Sequence, residues 1–236
     1  NTAVGYLALS SDTLGSNSVA IGRNALSTQN FTSATDAYNT AVGLNAGNLV
    51  TTGTQNTLIG GLAGDALTDS DYNVAVGYSA LSSDTLGARN VAVGQESLAS
   101  QNFTTATTSY NTAVGMNAGR LVTTGLQNTL IGGLAGDALT DADNNTALGY
   151  LALSAETNNN GNTAIGAEAL KVQNAGGGGD ARNTAVGFLA GAAVSSGTQN
   201  TLVGYNSGNE MTSGSKNVIL GSYDGNGGGL DIRTSS

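Results

Sequence analysis

The stretch Asn39-Thr40-Ala41-Val42-Gly43 decides the fold, because the chain repeats its pattern from end to end. The unit reads Asn-[Thr/Val]-[Ala/Leu/Ile]-[Val/Ile/Leu]-Gly in thirteen copies, and one of these begins with Ser18 instead of Asn. The glycine numbers rise in steps of 17 or 21, and three steps of 17 with one of 21 make a 72-residue super-repeat. The copies end at Gly5, Gly22, Gly43, Gly60, Gly77, Gly94, Gly115, Gly132, Gly149, Gly166, Gly187, Gly204 and Gly221.

Each copy predicts a short β-strand, since β-branched residues at period two stand between Asn and Gly. The chain between copies is too short for helices, so the strands can stack only as a parallel β-solenoid with one coil per repeat. The glycines would then form a ladder at a corner, and the asparagines a ladder at a turn, where their amides bond each other and the backbone. The predicted asparagine ladder is Asn39, Asn56, Asn73, Asn90, Asn111, Asn128, Asn145, Asn162, Asn183, Asn200 and Asn217.

A single coil of this length buries few apolar side chains, so the sequence also predicts an oligomer. The predicted strand has one face of Thr/Val and larger aliphatic residues and one face that is mostly alanine. Small side chains permit close backbone approach, and we expect the alanine rows to pack between chains. A lone chain would expose long apolar ladders.

The composition excludes several classes of function. There is no histidine, cysteine, proline or tryptophan, so thiol chemistry, disulfides and the commonest general base are absent. We therefore expect a non-enzymatic protein with no cofactor and no metal. The net charge of −9 argues against nucleic acid as a partner. No apolar stretch approaches the roughly 20 residues of a membrane span, so no membrane insertion is predicted.

Two variants of the unit resemble repeats of known surface fibres. Asn17-Ser18-Val19-Ala20-Ile21-Gly22, followed by Asn24-Ala25-Leu26, resembles the head repeat of trimeric autotransporter adhesins. The variant Asn1 to Leu9, which recurs almost unchanged at Asn145 to Leu153, is similar to repeats of phage tail fibres. The resemblance implies a left-handed parallel β-roll with three chains side by side. The adhesin heads commonly have shorter repeats than this chain.

From this resemblance we expect residues 1–225 to form the β-roll domain and residues 226–236 a Gly-rich exit segment. The expected function is that of an extracellular phage tail fibre shaft or head involved in host attachment. Its partners would be further copies of itself, as a homotrimer, and a cell-surface glycan or protein receptor. A bacterial adhesin head is the alternative. An ice-binding solenoid is a more distant one, because valines such as Val19 and Val74 interrupt the pre-strand threonine row.

The 21-residue coils carry a four-residue insertion that could contact a receptor. Its candidate binding residues surround an aromatic side chain in two of three copies: Asn30, Phe31, Thr32, Asn102, Phe103 and Thr104. The alternative is that both phenyl rings fold back and cover the coil. Asp65, Asp69 and Asp71 could recruit a cation, but their spacing matches neither an EF-hand loop nor the Gly-Gly-x-Gly-x-Asp calcium roll, and solvated turn acids are the simpler interpretation.

Overall fold

The computed structural model describes residues 1–224 and 232–233 of the chain. It is a parallel β-solenoid of about 13 turns with about 17 residues per turn, which confirms the predicted all-β fold. The described residues contain no helix. The predicted exit segment, residues 226–236, lies outside the described residues except for the strand Ile232–Arg233. The chain falls into two compact units, Asn1–Asn117 and Ala118–Ser236.

The first unit is a stack of parallel three-residue strands, one for each repeat. Consecutive strands pair in register, so that Ala3 stands opposite Ala20 and Ala20 opposite Ala41. The strands of this stack are β1 (Thr2–Val4), β3 (Val19–Ile21), β5 (Thr40–Val42), β6 (Thr57–Ile59), β7 (Val74–Val76), β9 (Val91–Val93) and β11 (Thr112–Val114).

The insertions of the first unit add two short parallel ladders beside this stack. β2 (Gly15–Ser16) pairs with β4 (Thr35–Asp36), and β8 (Gly87–Ala88) pairs with β10 (Thr107–Thr108). Each ladder joins a 21-residue coil to the 17-residue coil before it. The extra residues therefore extend the hydrogen bonding of the coil.

The second unit repeats the strand stack. Its parallel strands are β12 (Thr129–Ile131), β13 (Thr146–Leu148), β14 (Thr163–Ile165), β15 (Thr184–Val186), β16 (Thr201–Val203) and β17 (Asn217–Leu220). β18 (Ile232–Arg233) pairs antiparallel with β17 and so occupies the hydrogen-bonding edge of the last parallel strand.

In each three-residue strand after β1 the central residue is buried, and its two neighbours are more exposed. Ala20, Ala41 and Leu58 are fully buried, whereas Ile21 and Ile59 are exposed. The expectation that the alanine rows pack between chains is therefore wrong. Alanine fits at most strand centres because a leucine from the turn after the strand, such as Leu26, also fills the narrow interior.

A corner with unusual backbone geometry follows every strand. The ladder glycines have φ close to +135°, as in Gly60 and Gly77, a region in which side chains are disfavoured. The coils also stack very closely here, since a Cβ atom on Gly77 would lie only 2.4 Å from the carbonyl oxygen of Gly94. Both constraints require glycine at the corner.

Candidate functional site

The asparagine ladder lies inside the solenoid and links each coil to the next. In the first unit, the Asn73 Oδ1 atom accepts a hydrogen bond from the Asn90 N–H at 3.0 Å, and the Asn73 Nδ2 atom donates to the Gly87 carbonyl at 3.0 Å. The second unit repeats the contact, as the Asn145 N–H donates to Asn128 Oδ1 at 3.0 Å. These buried amides therefore satisfy backbone groups at the turn, where no strand partner is available.

The insertion loops bury the aromatic rings that were predicted to bind a receptor. Phe31 and Phe103 are each only 6% exposed, and the Phe103 ring lies against Gly87. The alternative interpretation, in which the rings cover the coil, is the one that the structure shows. Their polar neighbours are exposed: Asn30, Thr32, Asn102 and Thr104.

A buried carboxyl group holds the second insertion in place. The Asp84 carboxylate accepts hydrogen bonds from the Phe103 N–H at 3.1 Å and from Gln101 Nε2 at 2.6 Å. The Gln101 Oε1 atom accepts in turn from Asn111 Nδ2 at 2.8 Å. This chain of contacts connects the loop to the asparagine ladder and fixes the backbone under Phe103.

The same trio recurs once in every super-repeat. Gln29 Nε2 donates to Asp12 Oδ2 at 3.0 Å, and Asn39 Nδ2 donates to Gln29 Oε1 at 2.9 Å. The third trio is Glu156, Gln173 and Asn183, in which Asn183 Nδ2 donates to Gln173 Oε1 at 3.0 Å but the bond between the acid and the glutamine is not formed. Sequence reasoning missed these groups, although an acid and a glutamine one coil apart in every super-repeat were a readable signal.

Glu156 is the least satisfied of these buried acids. Its Oε1 atom accepts the N–H groups of Thr157, Asn158 and Asn159 at 2.9, 3.2 and 3.0 Å. Its Oε2 atom and the Nε2 atom of Gln173 have no hydrogen-bond partner. Burial raises the pKa of Glu156, and the three backbone N–H groups oppose that rise only in part.

The carboxyl groups of the acidic turn have different surroundings. The Asp71 Oδ1 atom accepts hydrogen bonds from the N–H and the hydroxyl of Thr54 at 2.7 and 3.0 Å. Asp65 is half-buried, and desolvation raises its pKa. Within the described residues, no group of three or more acidic side chains is placed to hold a metal ion. The same residues include no helix that could cross a membrane.

The outward face of the strand stack carries exposed apolar side chains in each unit. In the first unit, the residue before the corner glycine and the residue after it are often large and exposed, as in Ile59 and Tyr78. In the second unit, the rings of Phe188 and Tyr205 stack at 5.9 Å on this surface. We call this surface the outer face. Its exposed residues are Val4, Tyr6, Ile21, Leu44, Ile59, Tyr78 and Met116 in the first unit and Leu148, Tyr150, Phe188, Val203, Tyr205, Val218 and Leu220 in the second.

Comparison with protein-family models, with curated proteins and with solved structures finds no match to this chain. The interpretation of the outer face therefore depends on its own chemistry.

Proposed function

We propose that this chain is a non-enzymatic structural segment of an extracellular fibre, in which three copies pack side by side through their outer faces. The class of fibre that its repeats resemble most is the shaft or head of a phage tail fibre used in host attachment. The observation that carries the proposal is the exposed apolar row along the outer face of each unit.

The chemistry of the outer face is unusual for a surface that meets water. Exposed apolar residues in folded monomers are normally scattered, whereas here the solenoid aligns them coil upon coil. Tyr6 and Tyr78 are 70% and 56% exposed, and both occupy the same position of the repeat. Large contiguous apolar patches mark interaction surfaces, and a repeating patch fits best against another copy that repeats with the same period.

The interior is suited to a mechanical role. Backbone hydrogen bonds join neighbouring coils at several points of each circuit, such as Gly94 N–H to the Val76 carbonyl at 2.7 Å and Glu96 N–H to the Tyr78 carbonyl at 2.9 Å. The buried asparagines add side-chain bonds along the same direction. A stiff trimeric spacer would present three receptor-binding tips at once and raise their avidity.

The absolute mass in solution tests this proposal. Light scattering should give three times the chain mass of 23.2 kDa and should keep that value on dilution. Ile59→Glu places a charge on the outer face and should reduce the mass toward one chain. Thr52→Glu adds the same charge to an exposed turn of the same unit and should leave the trimer intact. A folded wild-type monomer would overturn the proposal.

A further inference from the structure

A groove lies on the surface of the first unit. It has a cavity volume of about 220 Å³ and lies where the insertion ladder of β8 and β10 meets an acidic turn. Its polar lining comes mainly from Asp69, Asp71, Tyr72, Arg89 and Thr108. We propose that this groove binds one unit of a neutral saccharide.

The Arg89 guanidinium lines the groove and contacts two aromatic rings, of which Tyr72 also lines the groove. The Arg89 Cζ atom lies 5.0 Å from the ring centroid of Tyr72 and 5.9 Å from that of Tyr110. The Arg89 Nη1 atom makes a long hydrogen bond of 3.4 Å to Thr108 Oγ1. Cation–π contacts hold the guanidinium in place and leave most of its five donors for another partner.

The acceptors of the groove are also available. Asp69 is exposed, and neither Asp69 nor Arg89 forms an ion pair among the described residues. The Asp71 Oδ1 atom is bonded to Thr54, which fixes the direction of this carboxylate. A carboxylate accepts hydrogen bonds, and a guanidinium donates two parallel ones. A hydroxyl group can both donate and accept, so two hydroxyl groups on adjacent sugar carbons can bond to both side chains.

The charge and shape of the groove favour a neutral sugar. Two carboxylates against one guanidinium make the lining net negative, and the chain as a whole carries −9, so anionic ligands are repelled. Tyr72 lines the groove and is exposed, and an aromatic side chain of this kind suits the C–H face of a pyranose. The cavity is smaller than the roughly 300–1,000 Å³ of sites for drug-sized molecules, which fits a single sugar of a longer chain.

The residues of the groove differ from those at the equivalent positions of the neighbouring super-repeats. Tyr72, Arg89 and Tyr110 all have positive φ, at 61°, 62° and 52°, a region that favours Asn and Gly. At the equivalent positions of the neighbouring super-repeats, the chain has Asn17 in place of Arg89 and Asn144 in place of Tyr72. Positive φ recurs along the whole chain, as at Tyr38 and Arg182, so the side chains, and not backbone strain, distinguish the groove from the equivalent turns.

The asparagines found at the equivalent positions of the neighbouring super-repeats are the substitutions used to test the site. Wild-type full chain, Arg89→Asn and Tyr72→Asn would be applied to a glycan microarray that carries neutral hexose and N-acetylhexosamine oligosaccharides together with sialylated and sulfated ones. Tyr38→Asn is the matched control, because it makes the same change at the same repeat position outside the groove. We expect wild type and Tyr38→Asn to bind neutral oligosaccharides, and Arg89→Asn and Tyr72→Asn to lose at least tenfold in affinity.

Three results would overturn the saccharide site: no binding of neutral oligosaccharides, binding of the sialylated or sulfated ones alone, or equal binding by Arg89→Asn. A change of mass in Arg89→Asn would also overturn it, since the groove would then be a contact between chains.

One chain forms the groove, so the site does not depend on the fibre proposal. A monomer that binds through Arg89 would refute the fibre alone, and a trimer that binds no neutral glycan would refute the site alone.

Discussion

A Cβ atom on Gly64 would lie 2.7 Å from the Leu58 Cδ2 atom, because the leucine side chain fills the space beside the glycine inside the same coil. The Cδ1 atom of Leu67 would lie at 2.8 Å from the other side. The second unit repeats the contact at Leu130 and Gly136 with the same distance of 2.7 Å. Leucine at the strand centre thus requires glycine at the sixth position after it.

This exchange of volume explains part of the 72-residue super-repeat. Where the strand centre is Ala20 or Ala75, the sixth position after it holds a buried leucine, Leu26 or Leu81. In the coil of Ala41 both positions are small, and Leu26 and Leu58 from the adjacent coils fill the space beside Gly47, so the close packing is balanced across neighbouring coils. Both this packing pattern and the acid–glutamine pair recur every four coils.

The first prediction concerns this balance. Gly64→Ala should destabilise the protein by about 1–3 kcal/mol through overpacking, and the same substitution should cost less in a Leu58→Ala background. The backbone strain at φ +54° is equal in both backgrounds and cancels in the cycle. Chemical denaturation of the four variants gives the coupling energy, expected at about 0.5–3 kcal/mol. A coupling of zero would show that the two residues do not compete for space.

The corner glycines give a second prediction. Gly77→Ala combines a φ of +138° with a Cβ atom 2.4 Å from the Gly94 carbonyl oxygen, and backbone strain alone costs about 1–3 kcal/mol. We expect a loss of about 3 kcal/mol or more in the free energy of unfolding. Gly133→Ala is the control, because its nearest neighbour would be a Tyr150 ring atom at 3.7 Å, and it should change the stability by less than about 0.5 kcal/mol. Equal losses in both variants would contradict the close stacking of the corners.

The sequence was sufficient to predict the coil, its strands and the solenoid, because so short a period permits few other structures. It did not predict which strand face is buried. Ala41 and Val42 alternate in any strand, and the side that faces inward depends on whether Leu26 and its equivalents fill the interior. That depends on the turn geometry, with positive φ at Leu26, which no local pattern indicated.

The receptor-contact prediction for the insertion loops depended on one aromatic residue between amides, and this pattern does not show whether the ring is buried. An aromatic residue between amides looks the same whether it is exposed or buried, and the sequence left both possibilities open for Phe103. The deciding group is Asp84, which is one coil away and bonds the Phe103 N–H. Contacts of this kind become readable only when the coils are aligned and their inward positions are compared.

The asparagine ladder gives a third prediction. Asn73→Ala removes the acceptor of the Asn90 N–H and the donor to the Gly87 carbonyl. An unsatisfied buried group costs roughly 1–3 kcal/mol, so the two together should cost roughly 2–6 kcal/mol in unfolding free energy. Asn73→Asp restores the acceptor alone and should remain destabilised. The exposed Asn102, replaced by Ala, is the control and should cost less than about 1 kcal/mol. A mild effect of Asn73→Ala would mean that water replaces the amide.

The final prediction is the pH dependence that Glu156 contributes. Because burial raises the pKa of this carboxyl above its ordinary value of 4.5, the folded state binds the proton more tightly than the unfolded state does. The free energy of unfolding should therefore rise as the pH falls from above the raised pKa toward 4.5, and this gain should stop below that value. Asp65 and Asp137, whose pKa values burial also raises, act in the same direction.

Glu156→Gln isolates the contribution of the Glu156 carboxyl to the pH dependence of the unfolding free energy. The variant keeps an oxygen for the N–H groups of Thr157 and Asn159 but cannot ionise, so the stability gained between pH 7 and pH 5 should be smaller than in wild type. Denaturant titrations of both proteins at the two pH values give the difference, and Asp65 and Asp137 contribute equally to each. If the two proteins gain the same stability on acidification, the Glu156 carboxyl is solvated in the folded state, and the unpaired Oε2 atom beside Gln173 must then be in contact with water.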